Sequence, residues 1–268
     1  MKLLVTGSKG FIGKNLIKYI EDNTDWEVDT YDWSSGILPS IMDQDWVLHL
    51  GAISSTTERD IDKIMVQNFD FSRQLFDACK TYGVNLQYSS SASVYGFGTD
   101  FTEDATPDPK TPYAWSKYLV ERHHRTHQGG NIVHGFRYFN VYGDGEEHKG
   151  NQASPISKFR QQETIKLFEG STKYFRDFIC VTDVCRVHVD FIKSVKKSGI
   201  FNVGTGKPYS FQQVADLISS KQEHIPIPEE VKYSYQELTC SDNTKLESVL
   251  GPQKWISIEE FLESRNTR

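Results

Sequence analysis

The 268-residue sequence has no apolar run near the ~18–20 residues needed to cross a bilayer, so no membrane-spanning helix is expected. Cysteine is scarce: Cys79, Cys180, Cys185 and Cys240 lie far apart with no C-x-x-C pair, which excludes a disulfide framework or a cysteine zinc site. Positive charge is not in excess. Thirty Lys+Arg against 36 Asp+Glu leave a formal charge of −6, which argues against nucleic-acid binding, because neutralising phosphates needs a basic surface. Repeats and low-complexity tracts are missing. Met1–Gly7 runs straight into a glycine turn with no signal-peptide apolar stretch, so the expectation is a cytoplasmic protein with reduced thiols. His123 and His127 are spaced i,i+4, but no Glu lies between them in the H-E-x-x-H manner, so no metal site is expected.

What is present is alternation. Lys2–Thr6, Glu27–Tyr31, Trp46–Leu50, Val84–Ser89 and Asn131–Arg137 read as strands, and Phe11–Glu21, Ile61–Lys80 and Tyr113–Thr126 as helices. This order calls for an α/β fold, a doubly wound parallel sheet with helices on both faces. Beyond residue 138 the pattern loosens into short elements at Pro155–Gln162, Thr182–Ser194, Ile200–Val203 and Phe211–Ser219, with Ile225–Glu229 a stiff Pro-spaced connector. Only 13 residues separate Asp32 from Trp46, whereas a helix, strand and second helix need roughly 30 or more. The sheet is therefore expected to lack its usual third strand, leaving the second at an edge or under a partner.

Gly7-Ser-Lys-Gly10-Phe11-Ile12-Gly13 follows the first strand and opens the first helix. Glycines allow a tight turn and close backbone approach, and the helix N-terminus offers N–H groups to a dinucleotide pyrophosphate. A simple βα turn is the plain alternative, since a glycine triplet alone is a weak signal. Asp32, at the end of the second strand, suits a ribose 2′-hydroxyl and repels a 2′-phosphate, and no Lys or Arg occurs between Lys18 and Arg59. Lys9 is the counter-indication. NAD is favoured, with NADP open.

Tyr113-Ala-Trp-Ser-Lys117 places a phenol and an ammonium on one helix face, where the cation, aided by a nicotinamide's positive charge, favours phenolate and lowers the tyrosine pKa. A solvated i,i+4 pair is the default for such spacing. Ser91 ends the strand before it, within reach of a reacting oxygen. Glycine turn, strand-end serine and Tyr/Lys helix in that order are far more specific than any one of them.

In these motifs the chain resembles the extended short-chain dehydrogenase/reductases, nucleotide-sugar epimerases and dehydratases with a Rossmann-like cofactor domain. The resemblance implies that Tyr113 is the acid/base, that Lys117 binds the nicotinamide ribose and that Ser91 steadies the substrate. It also assigns Leu50, Gly51, Ala52, Ser54 and Asn68 to the cofactor. Gly51–Asp60, Phe136–Gly143, His148–Gly150, Lys166–Ser171, Arg176–Phe178 and Gly199–Gly206 are similar to ADP-glyceromanno-heptose 6-epimerases in particular. That likeness makes Lys149 a second acid/base and Asn140, Phe168, Glu169, Gly170, Ser171, Arg176 and Tyr235 substrate contacts. Asn151 and Lys158 stand where those enzymes have a serine and a histidine facing substrate.

The implied organisation is a dinucleotide-binding domain over residues 1–150, rejoined by a strand and helix near 178–206, with a small C-terminal substrate region over 151–268. The implied reaction is epimerisation of a nucleotide-diphosphate sugar through a transient ketone, by a protein that works as a homo-oligomer. A 4-epimerase or reductase of a UDP-, GDP- or dTDP-sugar is the alternative within enzymes, and a non-catalytic dinucleotide sensor the alternative outside them. Ala92 and Ser93 follow Ser91 where sugar dehydratases carry an acid pair, which disfavours dehydration.

Overall fold

The computed structural model describes residues 1–34, 36–55, 58–127, 129–228 and 236–266. Glu229, Tyr235 and the side chain of Asn151 lie outside the described part. Strands β1 (Lys2–Thr6), β2 (Glu27–Tyr31), β3 (Trp46–His49), β4 (Asn85–Ser91), β5 (Val133–Tyr138) and β9 (Gly199–Val203) form one sheet. Its order is β2-β1-β3-β4-β5-β9, and every pair is parallel. Leu3, Leu4 and Val5 are all buried, as a strand covered on both faces requires.

Helix α1 (Phe11–Asn23) sets Phe11, Leu16 and Ile20 against Val181, Cys185, Val189 and Ile192 of α6 (Val181–Ser194). On the opposite face α2 (Ile61–Ile64) passes through a π turn (Met65–Asp70) into α3 (Phe71–Tyr82). There Phe71, Leu75, Phe76 and Cys79 pack with Val120 of α4 (Pro112–Thr126) over Leu4, Val47, Leu86 and Tyr88. The doubly wound arrangement is as expected. No strand occurs among the described residues of 33–45, and β2 is the sheet edge; its pattern is mostly exposed, with Glu27 and Asp29 outward. Strands β1 and β2 have the expected bounds, the other sheet strands differ from the sequence pattern by one or two residues at one end or both, and the expected single helix over Ile61–Lys80 is broken by the π turn.

The remaining chain builds smaller units, two of whose helices fall on the expected short elements at Pro155–Gln162 and Phe211–Ser219 but whose strands the sequence pattern does not announce. Strand β8 (Phe175–Cys180) pairs parallel with β6 (Asn140–Tyr142) and antiparallel with β10 (Pro208–Ser210), while β7 (Ile165–Phe168) pairs parallel with β11 (Gln222–Ile225). Helices α5 (Pro155–Arg160), α7 (Phe211–Ile218) and α9 (Ile258–Asn266) close over them, and α8 (Thr244–Leu250) packs on β9. Their shared core joins Tyr142, Ile156, Phe159, Leu167, Phe178, Val214 and Phe261.

Candidate active site

The glycine turn is shaped by contacts that no side chain would survive. Gly7 has φ +72, and a Cβ there would stand 2.6 Å from the Gly51 Cα; one on Gly13 would stand 2.2 Å from the Gly7 carbonyl oxygen. Gly10 is the N-cap of α1 without a side-chain cap, and the first turn has no acidic residue. Its free N–H groups and positive dipole end therefore fit an anionic pyrophosphate. Asp32 lies beside the turn, its carboxylate accepting from Ser8 Oγ at 2.6 Å and Lys9 N at 3.1 Å, with Lys9 Nζ at 3.9 Å. Tyr31, Asp32, Trp33, Gln67 and Phe71 wall a pocket of about 230 Å³ with Gly7, Gly10 and Gly51. Tyr31 stacks on Phe71 at 5.8 Å, and Trp33 meets it edge-on at 5.1 Å.

A buried polar chain holds the second loop in place. Ser72 Oγ donates to the Asn68 carbonyl, so it accepts from His49 Nε2 at 2.8 Å. His49 Nδ1 then accepts from Thr6 Oγ1 at 2.7 Å, and that oxygen in turn accepts from Gly51 N at 3.3 Å. The direction is consistent with a neutral ring: burial, with Lys117 adding to it, pulls His49 down to about 3. Asn68, only 1% exposed, accepts from Ile53 N at 2.8 Å and donates to Ile53 O and Ser116 Oγ, each at 3.0 Å. The structure thus sets Asn68 as a brace between the Leu50–Ser54 loop and α4. Its two amide hydrogens are both committed there.

Helix α4 starts at a Thr111 cap with Pro112 in its first turn and presents Tyr113, Lys117 and Glu121 along one face. The rotation of that face is locked from below. Glu121 and Arg137, both 0% exposed, are joined at 2.9 and 2.6 Å, and Ser90 Oγ donates to Glu121 at 2.5 Å. Lys117 Nζ lies 5.9 Å from the Tyr113 ring centroid and donates to the Ser89 carbonyl at 3.0 Å. Burial lowers Lys117 to about 8. Burial also pushes the Tyr113 phenol up, opposed by its hydrogen bond with Ser91. What opposes burial is the Ser91 hydrogen bond and not Lys117, so the expected lowering of the tyrosine by its lysine neighbour is not found in the protein alone.

Tyr113 and Lys117 share a crevice of about 420 Å³ with Gly7, Gly10, Phe11, Ile12, Gly13, Leu50, Ala52 and Ser54, and with Lys149 from a distant loop. Lys149 Nζ sits 4.9 Å over the Phe11 ring and 3.4 Å from Glu146. Ser91, half-buried, adjoins the crevice residues Ser89 and Ser90 in β4, with its hydroxyl accepting from Ser93 N at 3.1 Å. Lys158, Phe168 and Ser171 line a separate pocket of about 210 Å³ with Phe159, Tyr174 and Phe211. Glu169 and Gly170 form an exposed turn at its edge, with Gly170 at φ +79. Arg176 packs its guanidinium 5.4 Å from the Phe211 ring and donates to the Phe175 carbonyl. The neighbouring Asp177 is engaged elsewhere, accepting from Thr205 N, Gly206 N and Ser241 N. Asn140 is half-buried at the start of β6.

Sequence reasoning missed Ser89, Ser90, His148 and Gln152 in the crevice wall and Trp33 in the pocket beside Asp32. Trp33, next to Asp32, was detectable by position. Tyr138 also lines the crevice. Its phenol meets His188 Nε2 at 2.5 Å, and His188 Nδ1 meets Gln87 Oε1 at 2.6 Å, so long-range contacts fix its orientation. Among the described residues no cluster of His, Cys, Asp and Glu is placed to hold a metal, and no helix is long and apolar enough to cross a membrane.

Solved structures with this fold include several named as enzymes acting on nucleotide sugars. The Helicobacter pylori ADP-L-glycero-D-manno-heptose-6-epimerase is 23% identical with TM-score 0.86, the match covering 99% of this chain and 95% of that one. The Thermotoga maritima UDP-glucose 4-epimerase with UDP-glucose is 25% identical with TM-score 0.80, over 100% and 99%. The Thermus thermophilus UDP-glucose 4-epimerase complex with NAD is 24% identical with TM-score 0.82, over 98% and 96%. Residues 3–204 match the NAD dependent epimerase/dehydratase family, and the chain belongs to that family.

Proposed function

We propose that the chain epimerises a secondary alcohol of a nucleotide-diphosphate sugar, an ADP-glyceromanno-heptose at its 6-position, and that it works as a homo-oligomer. The observation that carries this reading is the meeting of Tyr113 and Lys149, 36 positions apart in the numbering, in the crevice that the glycine turn opens. Removing a proton from an unactivated carbinol carbon is prohibitive. A bound nicotinamide dinucleotide supplies reversible hydride acceptance, which makes the planar ketone accessible. The glycine turn would hold the pyrophosphate, Asp32 the adenosine ribose in favour of NAD over NADP, and Lys117 the nicotinamide ribose.

Inversion requires the ketone to be reduced on either face, and the oxygen then points in different directions. Tyr113 exchanges the hydroxyl proton in one orientation and Lys149 in the other. Ser91 holds the phenol and steadies the alcohol. Arg176 clamps the diphosphate, for which a planar guanidinium is well matched. Lys158, Phe168 and Ser171 meet the nucleotide side, with Asn140, Asn151, Glu169, Gly170 and Tyr235 completing the contacts. Incubation of the purified protein with either ADP-heptose epimer, followed by NMR, should give the equilibrium mixture. Tyr113→Phe should cut the rate by at least about 100-fold while leaving cofactor affinity within about threefold. Exchange of UDP-glucose with UDP-galactose in place of the heptose would move the assignment to 4-epimerisation, and wild-type turnover in the mutant would remove Tyr113 from the chemistry.

A further inference from the structure

Glu146 sits in a run that reads as solvated charge, Asp144 to Glu147, yet it is 0% exposed. Burying a carboxylate is costly unless donors surround it. Four do. Oε1 accepts from Gly143 N at 3.2 Å and Ser154 Oγ at 2.7 Å; Oε2 accepts from Ser154 N at 2.6 Å and Lys149 Nζ at 3.4 Å. The three neutral donors lie at the two ends of a loop: Gly143 follows β6, and Ser154 caps α5. The fourth is the ammonium that reaches the crevice. A second ammonium, Lys158, lies near enough that burial and then Lys149 lower its pKa, while Glu146 raises it.

We propose that Glu146 is a positioning residue for the second acid/base: it staples both ends of the loop over residues 143–154 and tethers the Lys149 ammonium at the crevice mouth, against the Phe11 ring. The inference rests on the role given to Lys149 above. The tether is loose, since 3.4 Å exceeds the ~2.8 Å of a strong charge-assisted bond. Lys149 therefore keeps its remaining N–H groups for the crevice, and Glu146 offsets the repulsion between the two lysines. Glu146 itself touches no substrate.

The test compares wild type, Glu146→Gln and Ser154→Ala. Glu146→Gln should lower epimer exchange by at least about tenfold with KM for the sugar within about threefold. Single-turnover reduction of the keto-sugar to one epimer should persist. Ser154→Ala, which loosens the loop but leaves the carboxylate, should change exchange by less than about threefold. In parallel, labelling of Lys149 by trinitrobenzenesulfonate at one fixed pH, read by mass spectrometry, should be several-fold faster in Glu146→Gln than in wild type. Equal losses in both variants, or unchanged labelling, would overturn the tether. If Glu146→Gln does not fold, Lys149→Met takes its place: stranding the buried carboxylate among neutral donors should lower Tm by at least about 3 °C, and an unchanged Tm refutes the pairing. Wild type that exchanges no heptose would sink the proposed reaction, while the labelling still decides whether Glu146 holds Lys149.

Discussion

The two ends of the crevice are built on opposite plans. At the end proposed for the dinucleotide the surface facing the pyrophosphate is backbone, three glycines and an uncapped helix start, beside a pocket walled by Asp32, Trp33 and Phe71 and a loop held from beneath by buried Thr6, His49, Ser72 and Asn68. At the end proposed for the sugar it is side chains: Lys149 from a loop, Lys158 from α5, Phe168 from β7, Arg176 from β8 and Phe211 from α7. Backbone recognition tolerates little substitution and reads a group shared by many reactions. Side-chain recognition from separate segments is free to vary, so on the reading proposed above the second end would decide which sugar is taken.

The largest way to sharpen that contrast is acid. His49, His124, His134 and His188 all sit in the parallel-sheet half, and burial holds them at about 3, 3, 4 and 3. Each has a folded pKa below its unfolded value, so the unfolded chain binds more protons as pH falls. The stability they permit is complete above about 6.5 and is lost as pH drops toward the folded values of about 3 to 4, at up to ~1.4 kcal/mol per pH unit for each ring. Urea unfolding at pH 7, 5.5 and 4.5 should show the steep fall; a flat profile would mean that these rings are protonated in the fold. Next in size, Gly13→Val forces a side chain into the Gly7 carbonyl and should weaken dinucleotide binding by at least about 100-fold, measured by calorimetry on a variant that still melts cooperatively. Near-normal affinity would break the comparison at its firmer end. Smallest, Arg176→Gln should raise KM for the nucleotide sugar about 30-fold with cofactor affinity unchanged. A matching loss of cofactor affinity would show that the two ends are not separable.

The firmer end was also the legible one. Gly7, Gly10, Gly13 and Asp32 declare themselves by spacing because their work is local, and the 13-residue gap after Asp32 foretold the edge position of β2. Tyr113 and Lys117 were legible for the same reason, being one helical turn apart. Lys149 was reachable only by resemblance, since its approach to Phe11 depends on how β6 and α1 meet. Asn68 read as a cofactor contact, yet its amide is spent on Ile53 and Ser116, partners 15 and 48 residues away. Glu146 gave no signal, because a charged neighbourhood carries no hint that one carboxylate turns inward. The strands β6, β7, β10 and β11 were invisible because three or four residues carry too little periodicity.

The account depends on a carbon that is oxidised and reduced in place, with Tyr113 and Lys149 handling only the oxygen's proton. The most direct measurement is epimerisation of ADP-heptose carrying deuterium at the inverted carbon, in ordinary water, followed by mass spectrometry of the product. Internal return through a transient ketone predicts that the product keeps its deuterium. Washout of the label into solvent would contradict it, because only direct removal of a proton from carbon could release it.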